Sequence, residues 1–237
     1  MTAGLITLKD VSKQFVSGNT TVYAISQVSL IIPDGAFCVV AGASGSGKTT
    51  LLNLIGGLEK PTSGTITVGS RQLDRMNEQD LALFRRHQVG YIFQGNNLIS
   101  TLNALENVEI PLILTQGGRN RDLAAAALAD VGLADKQNRL PHFLSIGEQQ
   151  RIAIARSMVH APAIVLADEP TANLDSRTAE QILSLLQQLN QNHGRTIVIS
   201  THDPRIISNS KAVVHLADGR VTHGFGDPRG QGGEDAL

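Results

Sequence analysis

Gly42-Ala43-Ser44-Gly45-Ser46-Gly47-Lys48-Thr49 decides the reading of this chain. It meets every fixed position of the phosphate-binding pattern G-x-x-x-x-G-K-[ST]. The glycines Gly42, Gly45 and Gly47 let backbone N–H groups close around phosphate oxygens, where a Cβ would collide or forbid the needed φ. Ser44, Ser46 and Thr50 belong to the same loop and its exit. Lys48 places a point charge on the β- and γ-phosphates, and Thr49 offers a hydroxyl to Mg²⁺. A helix starting near Lys48 aims its positive end at the same anion.

The flanks agree. Residues 37–41, Phe-Cys-Val-Val-Ala, form a short apolar run of the kind a buried parallel strand needs. Residues 50–55 read as a helix with Leu51, Leu52, Leu54 and Ile55 turned inward. Strand, glycine-rich loop and helix in that order are the context the motif requires.

The chain has 237 residues and 41% hydrophobic content, enough for one large domain or one domain with an inserted subdomain. The formal net charge of −1, the 3% aromatic content and the absence of Trp disfavour nucleic acid as a partner. The single cysteine, Cys38, cannot make an intramolecular disulfide and reads as a small core residue. The N-terminus does not read as a signal peptide, and no uncharged apolar run approaches a membrane span. The expectation is a soluble cytosolic protein, with any membrane spans supplied by another chain.

Along the chain, residues 5–11 and 22–32 read as strands, 33–35 as a turn, and 65–68 as a strand. Residues 78–87 read as a polar helix and 89–93 as a strand. Strand signals vanish from about residue 95 to 160. Residues 102–114 look helical, with Pro111 expected to kink or interrupt the helix. Residues 121–131 place Leu123, Ala127 and Val131 on one face, and Gly132 suits the C′ position. Residues 148–159 form a third helix. An α/β pattern then resumes: a buried strand at 163–167, a helix at 176–192 with Ile182, Leu185, Leu186 and Leu189 along one side, and a strand at 196–200. Residues 213–216 follow, with Asp218-Gly219 as a hairpin turn. Residues 1–225 are thus one domain with a helical insert at about 95–160, and 226–237 read as a disordered tail.

The strand at 163–167 runs into Asp168-Glu169. Ligands of open parallel sheets bind at the carboxyl ends of strands. Two carboxylates there suit an outer Mg²⁺ ligand, Asp168, and a water-orienting or general-base group, Glu169. His202 follows the next strand in the same way and could contact a γ-phosphate or a water. His87, His142, His160, His193, His215 and His223 read as surface residues. Ser145 and Glu148 match a capping box, S-x-x-E, which by itself only starts a helix; the other reading presents that helix end to an anion.

These motifs carry a family. From about residue 5 to 222 the chain resembles the ATP-binding subunit of ABC transporters. The phosphate loop, Gln94 in Tyr91-Ile-Phe-Gln94, Leu-Ser-Ile-Gly-Glu at 144–148, Leu-Ala-Asp-Glu-Pro at 166–170, Asn173-Leu174-Asp175 and His202 stand in the family's order. Gln94-Gly-Asn-Asn-Leu, Leu105-Glu-Asn-Val-Glu-Ile-Pro-Leu and the run from Gly147 to Arg156 look like the MacB/LolD/DevA/HrtA subgroup. That subgroup serves four-span permeases, and FtsE, which controls cell-wall hydrolysis, is similar.

The resemblance implies an α/β P-loop ATPase with a mainly parallel core sheet, an antiparallel β subdomain and an inserted helical subdomain. It implies ATP and Mg²⁺ as ligands. Asp168 and Thr49 would hold Mg²⁺, with Gln94 reaching metal and water. Glu169 would polarise the attacking water, and Lys48 and His202 would bind phosphate. Two copies would pack head-to-tail, so that Ser145, Gly147 and Glu148 of one cover ATP on the other, with Asp175 linking the sites. Phe15 matches the aromatic that stacks on adenine, with Tyr23 as the alternative and an ordinary core role also open. A MacB/FtsX-type permease would be the membrane partner, placing the protein on the inner face of the cell membrane. Exporter or extractor ATPase is the first expectation, and an FtsE-like mechanical signalling ATPase is the alternative. One departure stands out: Ile146 replaces the family's usual glycine. A helical backbone accommodates Ile there, whereas a left-handed one would impair phosphate contact in trans.

Overall fold

The computed structural model describes residues 4–18 and 20–224. In chain order its strands and helices are β1 Gly4–Ser17, β2 Thr20–Pro33, β3 Phe37–Ala41, α1 Lys48–Ile55, β4 Ser63–Val68, β5 Arg71–Gln72, α2 Glu78–Gln88, β6 Val89–Ile92, α3 Ala104–Gln116, α4 Arg121–Asp130, α5 Ile146–Met158, β7 Ile164–Asp168, α6 Ser176–His193, β8 Thr196–Thr201, α7 Pro204–Ser208, β9 Val213–Ala217 and β10 Arg220–Gly224. The chain divides into two units, Met1–Ala82 with Val198–Leu237, and Leu83–Ile197. The expected tail at 226–237 and the surface reading of the His223 side chain lie outside the described residues.

In the first unit, β2-β1-β4-β5 form a sheet in which each neighbouring pair is antiparallel. Ile6, Leu8, Val11, Ile25, Val28, Leu30, Ile32 and Ile66 are fully or almost fully buried around it. Both long strands exceed the lengths read from sequence. The register shifts between Leu8 and Val11 and again before Gln14. Asp10 and Gln27 adopt left-handed φ at these irregularities, and Ser29 and Ser12 hydroxyls accept their N–H groups. Such bulges break apolar alternation without ending the ladder, so alternation alone stops short. The remaining strands of this unit run β10-β9-β3-β8. β3 pairs with β9 in parallel, Val40 opposite Val214. Asp218 and Gly219 both carry positive φ, as a tight hairpin turn demands.

In the second unit β6 and β7 pair in parallel, with Tyr91 opposite Leu166 and Ile92 opposite Ala167. α3, α4 and α5 pack on one another, and α5 meets α6. α3 runs through Pro111 without interruption. An interior proline costs roughly 3 kcal/mol, but α3 is anchored at its start. Asn103 and Glu106 form a capping box, and the Asn107 carboxamide donates to the carbonyls of Ile99, Leu102 and Asn103. The inward face of α4 also differs from the expected one: Ala124, Leu128 and Val131 are buried, whereas Leu123 is exposed and Ala127 half-buried. Gly132 is left-handed, as a C′ residue should be. His160, read as a surface residue, is half-buried, with Nε2 3.2 Å from the Val89 carbonyl oxygen. Cys38 is a core residue, and burial pushes its thiol up to about 12.

Candidate active site

Gly42 to Gly47 join β3 to α1, which opens with Lys48 and Thr49, in the first unit. Gly45 and Gly47 have φ of 79° and 104°, backbone that L side chains rarely adopt. A Cβ on Gly42 would run into the Leu216 carbonyl and the Ser46 hydroxyl. Gly47 is the N-cap of α1, so the first N–H groups of that helix lie at the end of the loop. The Lys48 ammonium is buried inside this cradle and donates to the Gly42 and Ala43 carbonyls at 2.8 and 3.1 Å. The Ser46 hydroxyl is buried with no hydrogen-bond partner among the described residues. A hydroxyl left so is costly unless a ligand uses it. Ser44, Gly45 and Thr49 are exposed and Thr50 half-buried.

The same unit brings His202 to the loop's start. The Gly42 N–H donates to the carbonyl of Thr201, the residue before His202, at 3.3 Å. The His202 side chain is exposed. Asp203 caps the short α7, and its hydrogen bonds from Arg205 hold its carboxyl below the usual range.

Phe15 and Tyr23 lie on the β1–β2 hairpin. Phe15 is 41% exposed, which removes the core alternative, and the Lys13 ammonium sits 5.0 Å from its ring centre. Phe15 pairs with Val22, and Tyr23 with Gln14. Successive strand residues face opposite ways, so Phe15 and Tyr23 occupy opposite faces of the hairpin.

The second unit holds the other candidates. Asp168 ends β7 and is buried. Glu169, half-buried, follows with φ of 47°. A carboxylate residue held left-handed is strained by roughly 1–3 kcal/mol, and such strain gathers at functional positions. Tyr91 stacks on Phe93 with centroids 4.4 Å apart. Burial, and then the Asp168 charge, raise the Tyr91 hydroxyl well above its ordinary pKa. Gln94 lies in the loop after β6, exposed, with its carbonyl accepting from Asn173 Nδ2 at 3.4 Å.

Ser145 and Glu148 form the expected capping box at α5, and Ser145 is exposed. Ile146 is the first residue of α5 and is absent from the positive-φ positions, which answers the question its presence raised. A Cβ on Gly147 would meet Thr178 Cγ2 at 2.7 Å. Thr178 cannot swing away freely, because its hydroxyl donates to Asp175 at 2.6 Å. Asp175 in turn caps α6, and the Thr178 hydroxyl is the largest cause of its lowered pKa. Ser145, Gly147 and Asp175 are therefore neighbours within one unit. Thr178 carried no sequence signal of its own, and Arg156 was legible only as the end of the run from Gly147. Asn173 was legible only as part of Asn173-Leu174-Asp175.

The family model described as ABC transporter matches residues 25–172. This chain belongs to that family. It is similar to the uncharacterised ABC transporter ATP-binding protein MJ0796 of Methanocaldococcus jannaschii, 42% identical over 92% of this chain and 95% of that one. It is 40% identical to the lipoprotein-releasing system ATP-binding protein LolD of Geobacter metallireducens, over 92% of this chain and 98% of that one. The macrolide export ATP-binding/permease protein MacB of Hyphomonas neptunium is 41% identical over 96% of this chain, which spans only 35% of that protein's length. A dimeric post-hydrolysis structure of MJ0796 bound to ADP and phosphate superposes with a TM-score of 0.86 at 40% identity, covering 93% of this chain and 98% of that one. The fold is that of an ABC ATPase cassette, and the protein is the ABC-type ATPase of a transporter. No described helix is long and apolar enough to cross a membrane.

Proposed function

We propose that this ABC ATPase powers a membrane exporter or extractor of the MacB and LolD type by closing, head-to-tail with a second copy, around ATP. The phosphate cradle carries the reading: left-handed glycines, a buried ammonium and an orphaned hydroxyl all converge on a polyanion. Lys48, the loop N–H groups and the start of α1 would bind the β- and γ-phosphates. Glu169 would orient and deprotonate the attacking water, His202 would contact the γ-phosphate, and Phe15 would stack on adenine. The Ser145 end of α5 and Gly147 would cover the ATP of the other copy, and Asp175 would join the two sites. The dimer of MJ0796 supports that arrangement.

Mg²⁺ would be held by the Thr49 hydroxyl of the first unit and by the Asp168 carboxylate and Gln94 carboxamide of the second, each of which offers the hard oxygen that this ion takes. Bound there, the ion would neutralise charge on the phosphate oxygens.

α3 supports a membrane partner. Its second half, Ile110 to Leu114, is a continuous apolar run, yet Ile113 and Leu114 are 39% and 54% exposed, and Ile99, bonded to Asn107 in its first half, is exposed too. Exposed apolar side chains grouped on one stretch of helix suit a surface that a partner covers. A cytoplasmic segment of a four-span permease would supply the cover and hold the protein at the inner membrane face.

Glu169→Gln tests the chemistry. The variant should keep wild-type ATP affinity by calorimetry, lose turnover, and accumulate as a dimer on sizing columns in Mg-ATP. Hydrolysis at the wild-type rate would overturn the role of Glu169.

A further inference from the structure

Arg156 sits near the end of α5, ten residues after the helix begins. Its Nη1 donates to the Asn97 carbonyl and its Nη2 to the Asn96 carbonyl, both at 2.7 Å. Both accepting residues are left-handed, Asn96 with φ of 58° and Asn97 with φ of 47°. Two consecutive non-glycine residues in that conformation form a turn that the backbone does not favour by itself. The turn is short: the Asn96 N–H donates to Phe93 and the Asn97 N–H to Gly95. Gln94 lies inside it.

The loop is held from three directions. The Arg156 fork grips its far side. The Asn173 carboxamide reaches the Gln94 carbonyl. The Phe93 ring is stacked on Tyr91 of β6. Among the described residues no carboxylate pairs with Arg156, and its guanidinium is spent on these two carbonyls. Charge-assisted bonds in a planar fork fix direction as well as distance, which a lysine ammonium cannot do.

We infer that Arg156 is a positioning residue, whose forked guanidinium holds the left-handed turn at Asn96–Asn97 and so sets the backbone from which Gln94 reaches metal and water. α5 makes the hold directional. Ten residues of helix span about 15 Å as one rod. The rod runs from Ile146, next to the Ser145 cap, to Arg156 in its last turn. A phosphate contact made at the Ser145 end therefore bears on the turn that carries Gln94. This inference rests on the role proposed above for Gln94.

The test is Arg156→Lys in the full chain, alone and with Gln94→Ala. Lysine keeps the charge but loses the planar fork, so it cannot hold both carbonyls in the fixed geometry that the guanidinium imposes. Hydrogen exchange read by mass spectrometry, without nucleotide, should show amides 94–98 exchanging about tenfold faster, with β6 unchanged. Turnover should fall roughly tenfold, short of the roughly hundredfold that a full 1 Å misplacement can cost. The Mg²⁺ concentration for half-activation should rise, while the calorimetric ATP affinity stays within about twofold of wild type. In the Gln94→Ala background the Lys substitution should lower turnover no further, as expected when two residues act through one element. Unchanged turnover in Arg156→Lys, or a further tenfold loss on top of Gln94→Ala, would overturn the inference and leave the role of Gln94 standing. Wild-type turnover in Gln94→Ala alone would overturn both. Should the Lys variant not fold, Arg156→Gln, which keeps a donor and removes the charge, is read by the same outcomes.

Discussion

Ile146 replaces the usual family glycine at a place where the backbone does not ask for one. It opens α5 with helical φ and a side chain 52% exposed. Ile146→Gly should lower stability by up to about 1 kcal/mol through added backbone freedom. Turnover should stay within about twofold of wild type. A several-fold rise in steady-state hydrolysis would mean that the side chain, rather than the backbone, restrains the site. His160 offers a second test at this scale. Burial is the main cause of its lowered pKa, and its Nδ1 is buried with no partner among the described residues. The folded protein thus favours the neutral ring. Stability from this residue is full above the unfolded pKa of about 6.5 and falls as pH drops through the lower folded value. His160→Gln should flatten the acid limb of melting temperature against pH below about 6.5. An acid limb as steep as that of wild type would show that other groups cause it.

At the scale of elements, α5 starts beside the first turn of α6. Gly147 is needed there for space rather than for φ, since its Cβ would press on Thr178. Gly147→Ala should destabilise the protein by roughly 1–3 kcal/mol, as overpacking does. It should also loosen the Asp175 cap, because Thr178 can yield only by giving up its bond to Asp175. Thermal melting checks the first effect, and hydrogen exchange in the first turn of α6 the second. Adding Thr178→Ser, which removes the obstructing methyl, should restore both. The phosphate loop, the strand leading into Asp168 and the capping box at Ser145 were legible in sequence because each is local. Their residues are adjacent, and turn or cap chemistry fixes their geometry. The inward face of α4 was not, because Leu123-Ala-Ala-Ala-Ala-Leu128 is apolar in almost every direction and packing chooses Ala124 and Leu128. The length of β1 was hidden by bulges at Asp10 and Gln27. The grip of Arg156 was hidden for another reason: it falls on carbonyls 59 and 60 residues away, and carbonyls have no letter in the sequence.

For the whole molecule, the proposed site is complete only when two copies meet. Specific ATPase activity of the purified protein should therefore rise with protein concentration and level off as the dimer fills. It should rise again when the permease aligns the copies. A rate per molecule that is fast and independent of dilution would contradict this. Glu169 has a consequence of another kind. Its left-handed backbone is unfavourable for any side chain with a Cβ, least so for Asn, and glycine would relieve it. Under its proposed role, then, one position sets durability against work. A library selected only for survival of heating should enrich Gly and Asn at 169, and the winners should be long-lived cassettes that hold their nucleotide unspent.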